Sequence, residues 1–131
     1  YIAHLLTSLP GSSAIYRGTV VSYANEVKMD VLHVRSETLR EVGAVSEETV
    51  KQMVRGGLET LKTDYCVATS GILGPDGGTA EKPVGLVWVA VGDKERIVTQ
   101  KFQFRFDRMR NMEMAAMQAL NLLRKVVNRE T

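Results

Sequence analysis

Cysteine is almost missing from this sequence. Cys66 is the only one among 131 residues, so no internal disulfide can form, and a reducing, cytoplasmic setting suits the chain. Cys66 lies inside an apolar run and reads as packing. Histidine is nearly as scarce: His4 and His33 stand far apart, belong to no metal-spacing motif and read as surface or boundary residues. A zinc site is therefore not expected. No apolar run reaches transmembrane length and no signal peptide is visible, which leaves out a membrane role. Neither sign of charge dominates, with 17 Lys and Arg against 15 Asp and Glu, so the sequence carries no footprint for nucleic acid or lipid. Internal repeats, low-complexity tracts and an interdomain linker are likewise missing. Length and a hydrophobic share of 44% fit one domain with a sizeable core.

Glycine, by contrast, is concentrated. The stretch Ser70–Gly85, SGILGPDGGTAEKPVG, holds five of the 11 glycines and two of the three prolines. It separates two apolar, β-branched and aromatic runs, Tyr65–Thr69 and Leu86–Val91, that read as buried strands. A glycine-rich loop leaving a buried strand lets backbone N–H groups approach a ligand with no Cβ in the way. The plain alternative is a long connection built of turns. Loops of this length without structure of their own are uncommon unless they have a task, which favours the functional reading. The loop matches neither G-x-x-x-x-G-K-[ST] nor G-x-G-x-x-G, so P-loop and dinucleotide-fold readings fail on spacing.

The remaining elements follow from periodicity and caps. Ile2, Leu5, Leu6 and Leu9 predict a first helix stopped by Pro10-Gly11. Tyr1 opens straight into that helix with no cap before it, which creates the expectation that something precedes it. Thr19–Val21 reads as a short strand, and Asn25 as the cap of a helix running to about Val34. Ser36 caps a short helix ending at Gly43, and Ser46 caps another with Val50, Met53, Val54, Leu58 and Leu61 on one stripe. Leu86–Val91 and Ile97–Phe106 predict a hairpin. The final helix, Met109 to Asn128, would bury Met112, Ala116, Ala119, Leu120, Leu123 and Val127; its methionines read as core filler. Helices before, between and after strands predict an α/β fold, a three-layer α/β/α domain with a mixed sheet.

Serine and lysine are what remains for chemistry. Ser13 follows the helix-stopping Pro-Gly, where its hydroxyl can stand at a cleft edge; spacing alone favours a turn serine. Lys28 lies one turn into a helix, where most lysines are solvated. Yet a lysine desolvated beside a serine can stay neutral and act as its base, and serine–lysine pairs need no histidine.

Four ordered motifs add a resemblance: Pro10-Gly11-Ser12-Ser13, Tyr23-Ala24-Asn25-Glu26-Val27-Lys28, Gly43-Ala44-Val45-Ser46 and Ser70–Gly85. Together they resemble the C-terminal domain of the competence/damage-inducible protein CinA over nearly the whole chain. The resemblance implies the α/β/α fold. It also implies nicotinamide-nucleotide amidase activity, in which the carboxamide of nicotinamide mononucleotide is hydrolysed to nicotinate mononucleotide and ammonia. On it, Ser13 is the nucleophile, Lys28 the general base and Tyr23 a hydrogen-bonding assistant. Asn25 shapes the pocket, and the loop with Gly71, Gly77, Gly78 and Thr79 forms part of the nucleotide site, its N–H groups suited to a phosphate or an oxyanion. Arg108, within the charged segment Asp107–Arg110, is a candidate phosphate contact. No cofactor is implied; the partner is a small nucleotide, and a homo-oligomer stays open. The competing reading is a catalytically silent nucleotide-binding or regulatory module.

Three departures separate this sequence from the family's pattern. Ala24 stands where serine is usual, a change without expected consequence. Phe106 precedes Asp107-Arg108 where glycine is common. In the family a strand and a Glu-Ser-Cys-Thr-Gly-Gly turn come immediately before the position of Tyr1, and that turn contributes a serine to the site. Neither is in this sequence, nor is the larger N-terminal domain of some relatives, so the 131-residue chain on its own is expected to turn over more slowly than a full-length parent.

Overall fold

The run Leu86–Val91 is apolar without alternation, the pattern of a strand covered on both faces. In a computed structural model that describes all 131 residues, this run becomes strand β2 (Leu86–Gly92), the middle of a sheet ordered β1-β2-β3. Strand β1 is Cys66–Gly71 and β3 is Ile97–Gln103. Val87, Val89 and Val91 point to one face and Trp88 and Ala90 to the other. Helices α1 (Ile2–Thr7) and α5 (Arg108–Val127) lie on the valine side, while α2 (Asn25–Asp30), α3 (Ser36–Val42) and α4 (Glu47–Leu61) form the opposite side. The three-layer α/β/α arrangement is the one expected from sequence.

The sheet itself is antiparallel throughout, not mixed. Ser70 stands opposite Trp88 in β1–β2, and Trp88 opposite Lys101 in β2–β3. Parallel pairing needs a crossover, usually helical, between neighbouring strands. Here β1 returns to β2 through the glycine-rich loop alone, and β2 turns into β3 at Asp93–Arg96. Thr19–Val21 is not a strand. The segment from Thr19 to Tyr23 has no regular structure, and no backbone–backbone hydrogen bond reaches it.

Local chemistry explains the helix bounds. The Ser46 hydroxyl caps α4 by accepting from the Thr49 amide at 3.2 Å, and Glu47 and Glu48 complement the dipole in its first turn. Helix α4 then meets the turn that follows α2 at backbone distance: a Cβ on Gly56 would fall 1.6 Å from the Leu32 carbonyl oxygen. Ala24, not Asn25, occupies the N-cap of α2, and no side chain caps that helix.

Helix α5 is turned relative to its expected face. Asn111, Ala115, Ala116, Ala119 and Leu122 are its buried residues. Met112, Leu120 and Leu123 are half-buried, and Val127 is exposed. The side packed on β2 is lined by alanines that allow close approach, so larger apolar residues flank the seam.

Candidate active site

Pro10-Gly11 ends the first helix, and the chain continues in a single 3-10 turn, Ser12–Ala14. Gly11 takes a φ of 85°, the left-handed region that glycine enters without strain. That turn presents Ser13 outward, with an exposed side chain and a hydroxyl that bonds to nothing in the chain. Ten residues on, Tyr23 is also exposed and its hydroxyl is free. Asn25 opens α2 with its side chain in solvent.

Lys28 is different. Only 6% of the residue is exposed, and its amine donates to the Ser22 carbonyl at 2.5 Å. No carboxylate pairs with it: the three ion pairs, Arg55–Glu48, Arg110–Glu113 and Arg124–Glu130, lie elsewhere. Burial without a counter-charge disfavours the ammonium and pulls the Lys28 pKa below its ordinary 10.5. The bond joins the first turn of α2 to the residue two before its N-cap, so it closes over a span of six residues.

The glycine-rich loop is held at both limbs. Asn111, fully buried on α5, donates from Nδ2 to the Leu73 carbonyl at 2.9 Å and accepts the Phe106 amide on Oδ1 at 3.1 Å. Arg108 donates to the Gly74 carbonyl at 2.9 Å, so this guanidinium spends one N–H on the loop. On the return limb Thr79 and Lys82 close a turn on each other, and the Lys82 amine reaches the Val42 carbonyl at 2.5 Å. Between the limbs, the amides of Asp76, Gly77 and Gly78 donate to no group of the chain. Gly71 ends β1, and Gly77, Gly78 and Thr79 lie exposed on the loop tip.

Of the sequence-derived residues, Arg108 meets the start of the loop, and Lys28 bonds the Ser22 carbonyl, next in the chain to Tyr23. Ser13 and Lys28 make no hydrogen bond to each other. Neither residue, nor Tyr23, lines a groove of about 840 Å³ between α4 and the Asp93–Arg96 turn, or a smaller one of about 250 Å³ beside His33. Ser13 and Tyr23 are themselves exposed, so neither groove locates this site. Asn111 and Lys82 were missed from sequence. An asparagine on the buried stripe of a helix is a signal for Asn111; nothing in the sequence singles out Lys82.

A three-layer α/β/α domain with a buried, unpaired lysine and a clamped glycine-rich loop defines the structural class. Residues 1–127 match the model of the CinA C-terminal domain, and the chain belongs to that family. It is 50% identical over 125 residues to a CinA-like protein of Cytophaga hutchinsonii, covering 95% of this chain and 30% of that protein. Identity is 42% to a putative competence-damage inducible protein of Caldicellulosiruptor saccharolyticus, covering 96% of this chain and 31% of the relative. The chain therefore spans under a third of the length of these relatives. Among solved structures it superposes on the competence/damage inducible protein CihA from Agrobacterium tumefaciens with a TM-score of 0.91 at 39% identity, covering 93% of this chain and 75% of the other. It superposes on a CinA superfamily protein from Klebsiella pneumoniae with a TM-score of 0.92 at 35% identity, covering 97% and 80%.

Proposed function

We propose that this chain carries the site of a nicotinamide-nucleotide amidase working through Ser13 and Lys28. The burial of the Lys28 amine, away from any carboxylate, carries the reading, because a general base must be able to lose its proton near the working pH. Neutral Lys28 would accept the proton of Ser13 as its oxygen attacks the carboxamide carbon. The tetrahedral oxyanion then collapses, the C–N bond breaks, and the new ammonium of Lys28 returns the proton to the leaving nitrogen as ammonia. Water attacks the acyl-serine with the lysine again as base, giving nicotinate mononucleotide and free serine. Tyr23 would assist by hydrogen bonding and Asn25 would shape the pocket. The unbonded amides of Gly77 and Gly78, with Gly71, Thr79 and Arg108, would face the phosphate or the oxyanion.

Ammonia release from nicotinamide mononucleotide is the test. Ser13→Ala and Lys28→Arg should each lose roughly a thousandfold or more in kcat, and the double variant little beyond either alone, because the pair acts as a unit. Arginine keeps the charge but cannot deprotonate, so near-parental turnover by Lys28→Arg would remove lysine as the base. In the parent, rate should rise with pH as Lys28 loses its proton and level off above its folded-state pKa. The free hydroxyl of Ser13, unbonded to Lys28, favours a second reading, a nucleotide-binding module without turnover. Calorimetric binding of the mononucleotide with no ammonia release from active-length relatives would select it.

A further inference from the structure

The turn between α3 and α4 is bonded from four directions. Ser46 and Thr49 hydroxyls donate to the Gly43 carbonyl at 3.1 and 2.7 Å, and Ser70, at the end of β1, donates to the Ala44 carbonyl at 2.8 Å. The fourth bond comes from farthest away: Lys82, on the return limb of the glycine-rich loop, donates its amine to the Val42 carbonyl. Val42 is the last residue of α3, so its carbonyl is one that no later helical amide can satisfy. The negative end of the helix dipole also favours a cation there.

Gly43 makes room for this bond. Its φ is 78°, and a Cβ at that position would stand 2.9 Å from the Lys82 amine. At the other end, Lys82 and Thr79 exchange two bonds, Thr79 amide to Lys82 carbonyl at 2.8 Å and Lys82 amide to Thr79 hydroxyl at 3.0 Å. The loop tip with its unbonded amides therefore hangs between Asn111 and Arg108 on one side and Lys82 on the other. Asn111 and Arg108 hold only the outgoing limb. Lys82 is the side chain that fixes the return limb to the opposite helical layer.

We propose that Lys82 is a positioning residue: its ammonium ties the glycine-rich loop to the C-terminal end of α3 and thereby sets where the loop's free amides stand. The clamp is a property of the fold. Its effect on turnover rests on the amidase reading.

Hydrogen exchange on the 131-residue chain tests the clamp directly, with urea midpoints confirming that each variant is folded. Lys82→Met keeps the length of the side chain and removes the donor. The Thr79 and Lys82 amides should then exchange roughly tenfold faster or more, the scale of a lost hydrogen bond to a charged group, while amides in the middle of α5 stay unchanged. Lys82→Arg should restore protection, because a guanidinium can also reach the Val42 carbonyl. Unchanged exchange in Lys82→Met, or no recovery of protection in Lys82→Arg, overturns the clamp.

Steady-state kinetics on nicotinamide mononucleotide give the functional arm. With the loop amides on the phosphate, which ground and transition states carry alike, loss of the clamp should raise KM about tenfold with kcat nearly unchanged. Lys82→Arg should recover most of that KM. Faster loop exchange with an unaltered KM would disconnect the clamp from the site. Faster loop exchange with no ammonia release from any protein, parent included, would uphold the clamp and defeat the amidase reading instead.

Discussion

At the scale of single residues, Lys28 is a buried cation without a counter-charge. Its pKa is lower in the folded chain than the 10.5 of an unfolded one, because burial penalises the ammonium. Between those two values the unfolded chain binds more protons, so stability rises with pH across that window. Below the folded value the penalty is present in full. Lys28→Met should therefore unfold at a higher urea concentration than the parent at pH 7, and the gain should shrink as pH approaches 10.5. A gain that is missing, or that does not change with pH, would show that the buried charge costs the fold nothing. Cys66 illustrates the opposite sign. Burial pushes its thiol up to about 11, so a thiolate is scarce at neutral pH and the residue packs without reacting.

At the scale of elements, the packing of α4 against the Leu32 turn after α2 depends on one missing atom. Helix propensity alone says that Gly56→Ala should stabilise α4 by about 1 kcal/mol. Packing says otherwise, since the new Cβ would overlap the Leu32 carbonyl at 1.6 Å, and a backbone oxygen cannot swing aside as a side chain can. We expect packing to win, with a loss of about 3 kcal/mol or more by urea titration, or failure to fold. A stabilised Gly56→Ala would mean that α4 and the Leu32 turn do not touch there. Helix α5 teaches a related lesson. Its apolar residues cover more than one face, so periodicity cannot say which face meets the sheet. The alanines and Asn111 were chosen by how closely β2 approaches and by the loop carbonyl at Leu73 that needs a donor.

At the scale of the whole molecule, β2 belongs to both cores. Val87, Val89 and Val91 complete the cluster under α5, while Ala90 and the half-buried Trp88 join the one under α4. Two layers that share a strand cannot be lost one at a time without stripping one of its faces. Unfolding should then be two-state: fluorescence of Trp88, the only tryptophan, and far-UV circular dichroism of the helices should give one coincident urea transition. An earlier fluorescence transition would show that the α4 layer separates before the rest. Between Leu9 and Tyr23 only Val20 packs against a core, while Ile15 is 86% and Tyr23 85% exposed.

What the sequence determined by itself was much of what depends on neighbours along the chain, although Asn25 and Ser36 do not cap their helices. The unbroken apolar run of β2, the Ser46 cap, the Gly43 helix stop and the glycine-rich loop are local patterns. The ordered motifs around Ser13, Lys28 and that loop were enough to identify the family. What only tertiary structure decided was what depends on groups distant in sequence. Antiparallel pairing throughout followed from the way the loop returns β1 to β2. Thr19–Val21, strand-like in composition, has no partner to pair with, and a strand exists only through its hydrogen bonds to another. The desolvation of Lys28 and the 40-residue span of the Lys82 clamp likewise arise only on folding. Burial and hydrogen bonding belong to positions in space, and residue order constrains those positions without stating them.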